Sequence, residues 1–168
     1  MMGQNPSMPS APIYKRTHLK ALRNAVAFAH DTRWEPATDS DHHGGTRGLD
    51  AYGLWREAIE SGDAAPEHSQ YHAYDLKVFR GHAATYLREL TGIFPAVYSE
   101  LAQAATDYIR LAETANTLHD LCAEAKNAGG FSDEARAEAA RLVTAAQKSD
   151  RSAIASIEAA LVVLDESQ

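Results

Sequence analysis

Residues 94–125 read FPAVYSELAQAATDYIRLAETANTLHDLCAEA, and the spacing of their apolar members decides the fold. Phe94, Val97, Leu101, Ala104, Tyr108, Leu111, Ala115, Leu118, Cys122 and Ala125 recur every three or four residues. On a helix that spacing keeps one face apolar for roughly 50 Å at ~1.5 Å rise per residue. A helix of that length needs cover along its whole face, so the remainder of the chain is expected to pack beside it. The reading is an all-α protein, a helical bundle of about five helices with the last two long and antiparallel.

Downstream, Asn127 to Gly130 ends the long helix and Ser132 is placed to cap another, with Asp133 and Glu134 in its first turn facing the positive end of the helix dipole. Its stripe is Ala135, Ala139, Leu142, Ala146, Ala153, Ile157, Ala160 and Leu164. The polar run Lys148 to Ser152 interrupts it, but the face resumes in phase, which predicts one continuous helix. Two long helices joined by a short loop are expected to be antiparallel.

Upstream, three shorter helices are expected. Thr17 would cap the first, which buries Leu19, Leu22, Val26 and Ala29 and stops near His30–Asp31. Thr32 to Gly48 loses the pattern and reads as a loop, long enough to suggest either function or disorder. The second helix carries Leu49, Tyr52, Trp55 and Ile59 and ends at Ser61–Gly62. The third is expected over Tyr71 to Leu90, burying Leu76, Phe79, Ala83, Leu87 and Leu90, with Thr91–Gly92 closing it. Pro95 then suits the first turn of the long helix, where its missing N–H costs nothing. Residues 1–16, rich in Ser, Pro and Met at the start, are expected to be a disordered leader, and residues 17–168 one bundle domain.

Among 168 residues the formal charge is −7. That balance argues against nucleic-acid binding, which needs clustered cations to displace counterions; Lys15, Arg16, Lys20 and Arg23 read as a solvated helix face. No stretch reaches the ~20 apolar residues of a membrane span, and no signal-peptide pattern opens the chain. The expectation is a cytoplasmic protein. The one cysteine, Cys122, lies on the apolar stripe and reads as a small core residue.

Three constellations bear on chemistry. His68 and His72 are four apart, which on a helix puts both imidazoles on one side; with His42, His43 or His82 as a third ligand they would hold a divalent metal such as zinc. The H-E-x-x-H order is absent. His42–His43–Gly44–Gly45 lies beside Asp39 and Asp41, where glycines let backbone approach a ligand and carboxylates would orient an imidazole. Tyr52, Trp55, Tyr71, Tyr74, Phe79 and Tyr86 form an aromatic group on the second and third helices, with Arg80 and His82 at its polar edge. Core packing explains most such rings, while phenol and indole donors also suit a partner groove or a small pocket. Walker A, G-x-G-x-x-G and nucleophile-elbow patterns do not occur.

The run Gly48-Leu49-Asp50-Ala51-Tyr52-Gly53-Leu54-Trp55, followed by His72-Ala73-Tyr74 and the segment Arg80 to Glu89, resembles the helical C-terminal half of bacterial proteins related to butirosin-biosynthesis protein H and the C39-like cysteine-peptidase fold. The resemblance implies a helical module from which the cysteine- and histidine-bearing half is missing, so no catalytic residue carries over. It implies that Tyr52 and Trp55 face a partner half or its ligand. The leading expectation is therefore a non-catalytic helical module that binds a protein partner or small ligand through Tyr52, Trp55, Tyr71, Tyr74, Arg80 and His82; a homodimer would instead form through any apolar strip of the long helices that the shorter ones leave uncovered. The alternative is a small metal-dependent bundle enzyme similar to the DinB-like group, using His68, His72 and His42 or His43.

Overall fold

In a computed structural model the described residues are 11–31 and 47–166. Among them every regular element is helical: α1 (Ala11–His30), a 3-10 turn (Gly48–Asp50), α2 (Ala51–Ser61), α3 (Pro66–Ile93), a second 3-10 turn (Pro95–Val97), α4 (Tyr98–Asn127) and α5 (Asp133–Glu166). The fold is a helical bundle in which α4 packs along both α3 and α5.

The long stripe holds. From Phe94 to Ala125 all ten of its residues are buried, including Cys122. On α5 the face continues through the polar run, and Ser132 caps the helix, its Oγ accepting from the Ala135 N–H at 3.1 Å. Alanines at 104, 115, 139, 146 and 153 are buried on the facing stripes, and such small side chains let helix backbones approach closely.

α1 and α2 share the work of one rod. Arg23 pairs with Asp165 and His30 with Glu158 (2.7 Å), while Tyr52 reaches Asp150 and Arg136 donates to the Ile59 carbonyl at 3.0 Å. Both helices thus run antiparallel to α5, α1 along its C-terminal half and α2 along its N-terminal half. Among the described residues, α1 and α2 therefore lie in one row along α5, beside α3 and α4.

Several boundaries differ from those expected. α1 begins at Ala11 and takes in residues 11–16, which the sequence pattern assigns to a leader; Pro12 suits a first turn. Thr17 is therefore inside the helix and not its cap. α3 begins at Pro66, five residues early, with Ala65 extended before it as a residue preceding proline prefers. It runs through Gly92 to Ile93. What stops it is Pro95, which bars Phe94 from helical backbone (φ −123°, ψ 68°), and the turn Pro95–Val97 precedes α4. Phe79, expected in the core, is 61% exposed. The buried line of α3 is Ser69, Ala73, Ala84, Leu87 and Leu90, and Phe79 lies one residue, about 100° of helix, off the line that joins Ala73 to Ala84. Among the described residues no helix is long and apolar enough to cross a membrane. Lys15, Arg16, Lys20 and Arg23 are exposed on α1.

Candidate functional site

The end of α1 and the start of α2 both lie near the middle of the bundle. There a cavity of about 790 Å³ is walled by Asn24, Ala25, Phe28 and Ala29 of α1, Gly48 and Leu49, Tyr52 and Trp55 of α2, and His72, Asp75, Leu76, Phe79 and Arg80 of α3; Tyr108, Asp150 and Ile154 form its floor. Its lining is mainly apolar and its volume falls in the range of small-molecule sites.

The approach to α2 is fixed locally. Arg47 pairs with Asp31 and lies over the Phe28 ring, 5.7 Å from its centroid. Gly48 has φ +66°, and a methyl group there would stand 2.4 Å from the Ala29 carbonyl oxygen. Only glycine lets the chain turn this tightly against the last carbonyls of α1.

On the floor lies a layer of polar groups contributed by four helices. Asp150 is 1% exposed. Its Oδ2 accepts from the Tyr52 hydroxyl at 2.8 Å and from Arg80 Nη2 at 2.7 Å. Its Oδ1 is buried with no donor among the described residues. The Arg80 guanidinium also stacks over the Tyr108 ring at 5.3 Å. Burial by itself would lower the Arg80 pKa, but the Asp150 carboxylate more than reverses this and holds the side chain charged. Burial, then the charge of Asp150, pushes both the Tyr52 and Tyr108 phenols well above the usual range, so both remain neutral donors. One turn from this group, buried Asp107 accepts from Ser152 (2.8 Å), Arg110 (2.7 Å) and Gln103 (3.1 Å), and joins α4 to α5.

The expected site residues divide. Tyr52, Trp55 and Arg80 line the cavity together, with His72 at its wall; Trp55 donates to the buried Ser69 hydroxyl at 3.1 Å and its ring lies 5.9 Å from that of His72. Tyr71 (65% exposed) and Tyr74 (51%) point outward, away from it. His68 and His82 are exposed on α3. Of the third ligands expected for a metal, His42 and His43 lie outside the described residues; among the described residues, His82 included, no three His, Cys, Asp or Glu side chains group closely enough to hold a metal ion. Cys122 is fully buried and burial pushes its thiol up to about 12, the opposite of an activated nucleophile.

Sequence reasoning misses Asp150, Tyr108 and Asp75 as site residues. Asp150 falls inside the run that reads as a polar interruption, yet it stands four residues after Ala146 and three before Ala153, in register with the buried face of α5. A charged residue on an otherwise apolar stripe is the available signal. Tyr108 is legible as core but not as the floor of a cavity. Set against protein-family models, curated proteins and solved structures, the chain finds no match among any of the three.

Proposed function

We propose that the chain is a non-catalytic helical module whose task is to hold a small organic molecule in the cavity walled by α1, α2 and α3. The observation that carries this reading is the cavity itself: among the described residues, walls from α1, α2 and α3 meet over the buried Tyr52–Asp150–Arg80 group. A closed bundle would have packed apolar side chains there, since replacing buried ion pairs by well-packed apolar residues is often neutral or stabilising. A cavity with apolar walls and a few convergent polar groups on its floor is the form that small-molecule sites take. The resemblance of the sequence to helical halves whose Tyr-x-x-Trp helix faces a ligand or partner agrees with the position of Tyr52 and Trp55 at this cavity.

The reading is tested with N-phenyl-1-naphthylamine, a neutral apolar fluorophore. One saturable site per chain is expected. Ala25→Trp, an exposed position on the cavity wall, should reduce that binding at least about tenfold while leaving the thermal melt within a few degrees. Binding that does not saturate, or that the introduced indole leaves unchanged, would overturn it.

A further inference from the structure

We infer that the molecule held in this cavity is an organic cation, an ammonium group carried on a flat or aliphatic apolar body. The inference rests on the reading of the cavity as a ligand site and adds the chemical class of the ligand.

Two carboxylates, the His72 imidazole and one guanidinium line the cavity, and the guanidinium is engaged with Asp150 through Nη2 while its Nε is buried without an acceptor among the described residues. Arg80 Nη2 is bonded to Asp150 Oδ2 and the plane of the group lies on Tyr108. Its charge is therefore matched before any ligand arrives. Asp75 is different: half-buried on the α3 wall, its side chain makes neither an ion pair nor a hydrogen bond among the described residues. It lies one turn from Phe79 on the same face of α3, since residues four apart on a helix are neighbours. On the floor, Asp150 is only 1% exposed, and its Oδ1 still has an unused acceptor position. The cavity thus offers an unpaired carboxylate on its wall, above a floor whose own charges are matched.

The walls suit the same partner. Trp55 and Phe79 line the cavity beside Phe28, whose ring already carries Arg47, and their π faces attract a cation electrostatically, more strongly when water is excluded. Arg80 over Tyr108 is already an instance of that contact inside the cavity. With the Arg80 and Asp150 charges matched to each other, an organic anion would meet the unpaired carboxylate of Asp75, which is repulsive in a partly desolvated site. The net charge of −7 adds a long-range attraction for cations.

The test displaces bound N-phenyl-1-naphthylamine from the full chain at pH 7.5 with three ligands that share one body: 2-(2-naphthyl)ethylammonium, 2-(2-naphthyl)ethanol and 2-naphthylacetate. The ammonium is expected to bind about tenfold tighter than the alcohol, and the acetate weakest. In Asp75→Asn the ammonium should fall to the level of the alcohol measured on the same variant. Equal binding of all three, tightest binding of the acetate, or a preference for the ammonium that survives Asp75→Asn would overturn the inference while leaving the cavity reading intact. If neither the fluorophore nor any of the three binds saturably, the cavity reading fails, and the inference with it.

Discussion

Asp150 shows how one residue ties the core to the site. Its carboxylate is held by Tyr52 and Arg80 in a part of the bundle where the neighbouring positions are Ala146, Ala153 and Ile154. Asp150→Ala leaves the guanidinium of Arg80 without its counter-charge; because Arg80 retains some access to the cavity, we expect a loss of about 3 kcal/mol, the lower end for a broken buried pair. Tyr52→Phe removes one charge-assisted bond and should cost about 1.5 kcal/mol. In the double variant the tyrosine substitution should cost almost nothing further. Urea unfolding of the four proteins checks this, and costs that simply add would show that the two groups are not coupled. Arg80 and Tyr52 are legible in the sequence as site residues because they accompany Trp55 in an aromatic group. Asp150 is not. A partner 98 residues away in the chain cannot be read from local pattern, and the only trace is its register on the stripe.

At the scale of elements, the two long helices are readable because their stripes are unbroken and capped by residues of known preference. Ser132 accepts from the Ala135 N–H, and Ser132→Ala should lower stability by about 1 kcal/mol, measured by chemical denaturation, while Ser132→Asp restores most of it. An alanine variant as stable as the parent would mean that α5 takes its N-terminal order from packing alone. The short helices are less legible, and each departure has its own cause. Pro66 and Pro95 have a local meaning in the sequence, but their reach shows only in the fold: a proline opens a helix at its own position and forbids helical backbone in the residue before it, and that pair of effects sets both ends of α3. Hydrophobicity alone assigns Phe79 to the core, whereas α3 meets α4 through small residues, Ser69, Ala73 and Ala84 among them, and leaves the ring at the mouth of the cavity.

For the whole molecule, the buried groups that titrate at high pH set a limit on stability. Cys122 has its thiol pushed up to about 12 by burial against an ordinary 9.0, and Tyr52 and Tyr108 are raised above 10.0 by burial and by the adjacent Asp150 carboxylate. In each case the native state binds the proton more tightly than the unfolded chain does. The stabilisation is therefore complete below the unfolded value and is lost as pH rises toward the folded one. Stability should be level through neutral pH, begin to fall near pH 9 as the thiol of the unfolded chain ionises, and fall more steeply above pH 10, where the two phenols join it. Each group contributes a slope of up to ~1.4 kcal/mol per pH unit in its window. Cys122→Ala separates the contributions: it should be less stable at pH 7 by about 1 kcal/mol for the small cavity it leaves, and its decline should start one unit later, near pH 10. Urea unfolding followed by circular dichroism between pH 7 and pH 11 reads both. A Cys122→Ala curve parallel to the parent throughout would place the thiol outside the core, and with it the register of the stripe on which the bundle was read.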